Sequence, residues 1–186
     1  MPSGTPRKKS WQKLRCRRFA RNFARMNPVP EVRGWHGLAV DLNADMGEGF
    51  GRYRLDDDAL LGIVTSASIA CGFHAGDPVV MRETVMAAAA RGVSIGAHPG
   101  YPDLVGFGRR ELGATAAEIE ALVVYQIGAM QGVCAAAGAK LRYVKAHGAL
   151  YNRAVHDVPV AAAIARAVQS VDPSLALLAL AGSAMI

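Results

Sequence analysis

Four segments rich in polar residues and glycine recur along an otherwise apolar, alanine-rich chain. They read DLNADMGEGFGR (41–52), SASIACGFHAGD (66–77), GAHPGYPDLVGFGRR (96–110) and VKAHGALYN (144–152). Each follows a short apolar run that is typical of a buried β-strand. Because α/β enzymes assemble their active sites from side chains at the ends of successive strands, this rhythm indicates an enzyme.

The first segment carries oxygen-rich side chains at every second position. Asp41, Asn43 and Asp45 would point to one side of a strand, because side chains alternate along it. Together they suit a metal ion, a hydroxyl group or an amine. The alternative is an ordinary strand end with capping side chains. A calcium loop is excluded, because Met46 stands where that loop needs glycine and Arg52 where it needs glutamate.

The second segment forms a glycine-rich turn from strand to helix. Its glycines allow close backbone approach, and the helix N-terminus beyond the turn could bind an anion. His74 could serve as acid, base or metal ligand. Asp77 is assigned to helix capping, since Pro78 follows it directly. For Cys71, a buried apolar position is favoured over a nucleophile.

Histidine and cationic side chains end the third and fourth strands. His98 is followed by a proline-stiffened loop that carries Arg109 and Arg110. One arginine could grip a carboxylate with two hydrogen bonds, although adjacent arginines are commonly just solvated. Lys145 and His147 would project to one side of the fourth strand. A lysine in an apolar strand is costly unless it is paired, which favours a functional role.

Five strands separated by helices predict an all-parallel α/β sheet. The strands are expected at 38–43, 68–72, 93–98, 141–147 and 175–180. Asp77, the Thr115–Glu118 capping box and Asp157 predict three helix starts. Five strands cannot close a barrel, so the fold is either an open sheet or part of a larger barrel.

Charge is unevenly distributed along the chain. Residues 1–36 hold ten Lys or Arg and the single acid Glu31, whereas residues 37–186 hold eleven bases and fourteen acids. This predicts a basic, disordered N-terminal extension at 1–36 and a mildly acidic folded domain at 37–186. An organelle transit peptide, or an arm that binds nucleic acid or a membrane surface, is the alternative for the extension.

Composition also narrows the partners and the compartment. The acidic domain lacks the basic surface of a nucleic-acid-binding protein, and no run of about 18 apolar residues predicts a membrane span. Three cysteines without paired spacing fit a reducing cytoplasm. Neither GxxxxGK[ST] nor GxGxxG is found where a nucleotide-binding fold would need it, so any nucleotide would bind by another route.

Together the four segments closely resemble the LamB/YcsF family, which comprises the A subunits of bacterial-type 5-oxoprolinase. Its members typically read DLN-x-D-x-GE-x-FG, S-x-N-x-ACG-x-HAGDP, GAHP-x-YPD-x-x-GFGRR and VK-x-HGALYN, and the match runs from about Leu38 to Gly182. Ser68 stands where the family usually has asparagine, and Ala146 where it usually has proline.

The resemblance implies a seven-stranded (β/α) barrel of the glycoside hydrolase/deacetylase type, here truncated after about five strands. It implies ATP-dependent opening of the 5-oxoproline lactam to L-glutamate in the cytoplasm. ATP would be the cofactor, subunits B and C would be the partners, and the need for a divalent metal is left open. Broader implied terms are nucleotide binding and carbohydrate metabolism.

Resemblance and residue chemistry together suggest roles at the site. Lys145 would stabilise developing negative charge, and Asp41 or His74 would move protons or orient water, with His147 as a fourth catalytic residue. Arg109 would hold the substrate carboxylate. The other expected substrate-binding residues are Asn43, Asp45, Glu48, His98, Tyr101, Asp103, Tyr151 and Asn152. No residue is assigned to a metal, and a helix-start role is the alternative for Asn152.

Two other hypotheses come from different classes. A metal-dependent hydrolase of the carbohydrate-deacetylase type would use Asp41, His74, His98 or His147 as ligands around a site open to water. A non-catalytic scaffold or inactive fragment is the third possibility. The enzyme hypotheses share one spatial expectation, that Asp41, the two histidines His74 and His98, and Lys145 surround a common cavity at one rim of a parallel barrel.

Overall fold

A sheet of five parallel strands lies at the centre of the part of the chain that the structure describes. The computed structural model describes residues 40–53 and 55–186. The strands are Asn43–Met46 (β1), Ser66–Ala70 (β2), Ser94–His98 (β3), Leu141–Val144 (β4) and Ala176–Leu177 (β5). They lie in the order β1-β2-β3-β4-β5, and every neighbouring pair is parallel. This confirms the predicted all-parallel α/β sheet.

Helices connect consecutive strands. They are Asp57–Leu61 (α1), Pro78–Ala90 (α2), Ala116–Ala136 (α3), Gly148–His156 (α4) and Val158–Val171 (α5). Asp77 caps α2 and Asp157 caps α5, each through its carboxylate. Thr115 and Glu118 form the capping box of α3. All three predicted helix starts are confirmed, because these side chains accept from backbone N–H groups that have no partner within the helix.

The longest helix, α3, packs one apolar face into the core. It contacts β3, β4 and α5. Among the described residues it is the one helix long and apolar enough to cross a membrane, by length and composition only. A core helix of a globular domain has the same composition, so the criterion decides little here. The buried residues include Ile119, Val123, Ile127, Met130 and Cys134, as predicted, and also Gln126.

Strand bounds differ from the sequence prediction, and β2 covers Ser66–Ala70 rather than 68–72. β1 covers Asn43–Met46 rather than 38–43, and residues 38–39 lie outside the described part of the chain. β4 ends at Val144, three residues earlier than expected, and β5 has only two residues. The apolar run does not mark β1, whose polar residues Asn43 and Asp45 form hydrogen bonds with Ser66 of β2 and with Lys145 after β4.

Helix α4 was not predicted. His147 occupies its N-cap position without a side-chain capping bond, and the helix begins at Gly148. Helix starts are predicted from Ser, Thr, Asp or Asn at the N-cap position, and histidine there does not indicate one. Asn152 lies inside α4, and its alternative role at a helix start was therefore wrong.

The predicted basic extension, residues 1–36, lies outside the described residues. Asp41–Ile186 forms one compact unit. The division at residue 36 therefore stays a prediction.

The sheet is strongly curved, as a contact between side chains of β1 and β4 shows. These strands are three positions apart, which is about 14 Å in a flat sheet. Yet Asn43 Nδ2 donates to the Tyr143 hydroxyl over 2.8 Å. The Tyr143 ring lies over Gly96 of β3, where a Cβ atom would come within 2.1 Å of it. Glycine at 96 thus leaves the space through which Tyr143 reaches β1. This curvature is consistent with a barrel-like fold.

Replacing this glycine tests the curvature. We expect Gly96→Ala to lower the free energy of unfolding by at least about 1–3 kcal/mol, because the new methyl group overpacks the Tyr143 ring. Gly128→Ala is the matched control: Gly128 lies in α3 with open space around it, and alanine there should stabilise by about 0.5–1 kcal/mol. Denaturant unfolding measures both. Equal effects of the two substitutions would contradict the packing argument.

Candidate functional site

Polar side chains gather at the carboxyl edge of the sheet. Asp45 lies in β1 and His98 ends β3. Lys145 and His147 follow β4, and His74 lies in the loop between β2 and α2. Parallel strands all end at the same edge, so residues far apart in the chain come together there.

Three histidines and a glutamate form the centre of this edge. The ligand-type atoms of Glu48, His74, His98 and His147 all lie within 4.8 Å of one another. His98 Nε2 is 3.0 Å from His147 Nδ1. Glu48 Oε1 lies 3.6 Å from His74 Nε2 and 3.7 Å from His147 Nδ1. The three histidines are buried and Glu48 is mostly so. We call these four residues the His–Glu cluster; their donor types are those that hold a transition-metal ion.

Backbone carbonyls fix the orientation of two of the rings. His98 Nδ1 is 2.6 Å from the carbonyl oxygen of Lys145, and His147 Nε2 is 2.8 Å from that of Phe107. A carbonyl oxygen only accepts, so both of these ring nitrogens carry hydrogen. The other nitrogen of each ring, His98 Nε2 and His147 Nδ1, therefore points into the cluster.

His74 packs between glycines and a second imidazole. Its ring stacks on His147 at 3.8 Å between centroids and 4° between planes. A Cβ atom at Gly100 would approach His74 Nδ1 to 2.6 Å, and one at Gly108, whose φ is +62°, would approach its Cβ to 2.7 Å. Among the described residues neither nitrogen of His74 has a hydrogen-bond partner, and Glu48 Oε1 has none either.

Burial lowers the pKa of two of these imidazoles, those of His74 and His147. Removal from water, together with the smaller effect of the neighbouring His74, lowers the pKa of His147 to about 4. Burial also lowers the pKa of His74, against the opposing effect of Glu48. Neutral imidazoles retain a lone pair, which is the form that accepts a proton or binds a metal ion.

A lysine–aspartate ion pair lies beside the His–Glu cluster. Lys145 Nζ donates to Asp45 Oδ1 over 2.6 Å and to Asn43 Oδ1 over 3.3 Å. Asp45 Oδ2 is 3.3 Å from His98 Nε2. Burial acts to raise the pKa of Asp45, but the hydrogen bonds and charges of His98 and Lys145 together hold it well below its usual range. One carboxylate thus links the ammonium group to the cluster.

The loop after β3 is fixed by a second ion pair. Asp103 is buried and accepts from Arg110 Nε at 3.0 Å and from the Gly106 backbone N–H at 2.9 Å. Within this loop Phe107 adopts a φ of 54°, a conformation that costs a residue with a side chain roughly 1–3 kcal/mol. The carbonyl of Phe107 is the acceptor for His147, so the loop sets the orientation of that ring.

Asp41 does not reach the cluster, contrary to expectation. Thr65 and Ser66 donate to its carboxylate; Ser66 is the first residue of β2 and Thr65 directly precedes it. Asp41 precedes Asp45 by four residues, or roughly 13 Å along an extended chain. It therefore lies toward the amino edge of the sheet, and a ligand set of Asp41 with His74, His98 and His147 is not brought together. In the cluster, Glu48 occupies the carboxylate position instead.

The remaining expected binding residues lie around the cluster rather than in it. Arg109 is exposed, with its guanidinium carbon 5.7 Å from the centre of the Phe107 ring. Tyr101 is fully buried, Tyr151 is half-buried on α4, and Asn152 is exposed on the same helix. Asp103 is engaged by Arg110, as described above.

Sequence reasoning missed three polar residues in the interior of the sheet. Ser66 Oγ accepts from Asn43 Nδ2 at 2.7 Å, and Ser68 Oγ donates to Asn43 Oδ1 at 3.0 Å. The Tyr143 hydroxyl completes the network between β1, β2 and β4. The alternation of Ser66 and Ser68 in a buried strand was the available signal, because small hydroxyl residues at period two share one face.

Comparisons with known proteins agree on one family. The sequence model of the LamB/YcsF family matches residues 40–186. The 5-oxoprolinase A subunit of Bordetella pertussis (strain Tohama I) is 59% identical over 149 residues, 80% of this chain and 59% of that protein. The Bacillus cytotoxicus protein of the same name is 55% identical over 150 residues, 80% of this chain and 60% of its own length. The chain thus spans about three fifths of these curated relatives.

A solved structure is similar as well. The crystal structure of the Lactam Utilization Protein from Thermus thermophilus superposes with a TM-score of 0.78 at 49% sequence identity. The match covers 80% of this chain and 60% of that one. At this identity the likeness extends beyond the fold to the sequence itself.

The Asp103–Arg110 pair can be tested by limited proteolysis. In Asp103→Asn the loop loses its charged anchor, so we expect trypsin to cleave after Arg109 and Arg110 several times faster than in the parent chain. Asp58→Asn is the control, because it removes a carboxylate from an exposed ion pair with Arg91 on the surface. Mass spectrometry of the fragments measures each rate. Unchanged cleavage in Asp103→Asn would show that the pair does not hold the loop.

Proposed function

Because the chain belongs to the LamB/YcsF family, we propose that it is the A subunit of a 5-oxoprolinase, which opens the 5-oxoproline lactam to L-glutamate with consumption of ATP. One observation carries the proposal furthest. An ammonium group, a carboxylate and three buried imidazoles lie together at one edge of the sheet, within the residues that the family model matches. Such a set suits hydrolysis of an unreactive carbonyl group.

Lactam opening is difficult because amide resonance makes the ring carbonyl a poor electrophile. Phosphorylation of the carbonyl oxygen by ATP would weaken that resonance and leave ADP. Water then adds to the ring carbon, the carbon–nitrogen bond breaks, and the nitrogen leaves as an amine after taking up a proton. This leaves an acyl phosphate, which a second water molecule hydrolyses to release phosphate and form the new carboxylate of glutamate. The site must therefore stabilise negative charge on oxygen and transfer protons.

The side chains offer both functions. We assign to Lys145 the stabilisation of negative charge on the carbonyl or phosphoryl oxygens, with Asp45 holding its ammonium group in place. The His–Glu cluster would activate the attacking water and supply the proton for the leaving nitrogen. Arg109 is exposed near the loop after β3 and remains our candidate for the substrate carboxylate.

The whole enzyme would extend beyond the described residues. We propose that the domain belongs to a seven-stranded (β/α) barrel, of which this chain supplies five strands. The word "subunit" in the relatives' names supports an assembly, for which we propose subunits B and C as partners. ATP use and a cytoplasmic location are part of the same proposal. The buried free thiols of Cys71 and Cys134 are consistent with a reducing compartment.

A metal-dependent hydrolase is the second candidate, and the meeting of three histidines with Glu48 favours it. Such an enzyme would deacetylate a carbohydrate without ATP. The two candidates separate in one assay, in which the reconstituted assembly receives 5-oxoproline or an acetylated sugar, each with and without ATP. Glutamate formed only with ATP supports the first candidate. Acetate released without ATP supports the second.

Lys145→Ala tests the assigned role of the lysine. We expect kcat for glutamate formation by the reconstituted A, B and C subunits to fall by about 10²–10³-fold, because a positioned charge at the reacting oxygen is lost. Lys140→Ala is the matched control, since it removes the same charge from an exposed residue before β4. Co-purification of the subunits and the melting temperature report assembly and folding. Full turnover by Lys145→Ala would end this assignment.

A further inference from the structure

Two nitrogen atoms in the His–Glu cluster face each other without a hydrogen between them in the neutral state. His98 Nε2 and His147 Nδ1 are 3.0 Å apart, and each ring already donates its hydrogen to a backbone carbonyl on its far side. Two lone pairs in this position repel each other. Something positively charged must lie between or beside them, either a proton on one ring or a bound cation.

A single added proton accounts for only part of the arrangement. If His98 carried it, Nε2 could donate to His147 Nδ1 and to Asp45 Oδ2, which lies 3.3 Å away. His74 and Glu48 would still face each other at 3.6 Å, too far for a hydrogen bond, with both atoms buried and without a partner among the described residues. Leaving such groups unpaired costs about 1–3 kcal/mol each.

A cation at the centre satisfies all four groups at once. Two ligand atoms that bind the same zinc ion at 2.0–2.1 Å in a tetrahedral arrangement are about 3.3 Å apart. The separations of 3.0, 3.6 and 3.7 Å lie on both sides of that value, and all four ligand atoms lie within 4.8 Å of one another. The carbonyl partners of His98 and His147 are the outer contacts that commonly fix metal-binding imidazoles.

We propose that Glu48, His74, His98 and His147 bind one divalent transition-metal ion, of which Zn²⁺ fits the donor set best. Imidazole nitrogens with one carboxylate oxygen suit zinc, whereas calcium and magnesium prefer oxygen ligands alone. Glu48 is the most exposed of the four side chains, and Asp45 of the Lys145–Asp45 pair lies 3.3 Å from His98, which gives the ion a side that faces substrate. Metal binding is inferred independently of the proposed function. A catalytic role for the metal, the activation of water beside Lys145, does rest on that function.

Metal binding is measured directly, without an activity assay. The tag-free chain is stripped with EDTA, reloaded with Zn²⁺ and freed of excess metal by gel filtration. Elemental analysis should then find about one zinc per chain. His74→Ala and His147→Ala should retain almost none. His156→Ala should retain the full amount, because His156 is an exposed histidine at the end of α4 and lies outside the cluster.

Glu48→Gln is a second test that remains valid if a histidine variant fails to fold. It keeps the shape of the side chain and removes its charge, so the fold should persist while the zinc dissociation constant, measured by titration calorimetry, rises at least about tenfold. Cobalt(II) loading gives an independent signature, because tetrahedral coordination produces intense visible absorption. His74→Ala and His147→Ala should lack it, and Glu48→Gln should show it only at higher cobalt concentration.

The outcomes separate this inference from the proposed function. No zinc in the folded parent chain, or equal zinc in the parent and His74→Ala, overturns the metal site, which would then hold a proton or only surface-bound ions. If the assembly nevertheless makes glutamate with ATP, the proposed function stands without it. Zinc at the site in an assembly that does not open 5-oxoproline would leave the metal site intact and contradict the function.

Discussion

The contact between His98 Nε2 and His147 Nδ1, 3.0 Å apart in a buried position, is the constraint on which the functional edge depends. It exists because two backbone carbonyls, one after β4 and one in the loop after β3, each take up the outer hydrogen of a ring. Backbone geometry, not solvent, thus decides which nitrogens face inward. The inward lone pairs then determine what the cluster can bind.

The curvature of the sheet supplies the rest of the site. Gly96 gives the Tyr143 ring its space, and that ring brings β4 toward β1. The same approach allows Lys145 to reach Asp45 across the interior. A polar network of serine, asparagine and tyrosine side chains fills the space between them, and the hydroxyl groups of Ser66, Ser68 and Tyr143 all have partners within it. The same packing that fills the interior therefore also positions the charged groups.

Sequence reasoning succeeded where the signal is local or periodic. The parallel sheet, the caps at Asp77 and Thr115, and the buried face of α3 follow from short-range rules. It failed where long-range contacts decide. Alternation along a strand predicts that Asp41 and Asp45 point to the same side. Asp41 nevertheless lies toward the amino edge of the sheet, because it precedes Asp45 by four residues. Glu48 was expected to bind substrate, and only the path of the loop after β1 reveals its contact with the histidines. The catalytic roles themselves stay predictions.

The most direct measurement is the position of the metal in a crystal of the zinc-loaded chain, located by anomalous scattering on both sides of the zinc absorption edge. The account predicts one strong peak enclosed by Glu48, His74, His98 and His147, with the outer hydrogen bonds of His98 and His147 to backbone carbonyls preserved. A cluster without such a peak, with zinc absent or bound only elsewhere such as at His156, would contradict it.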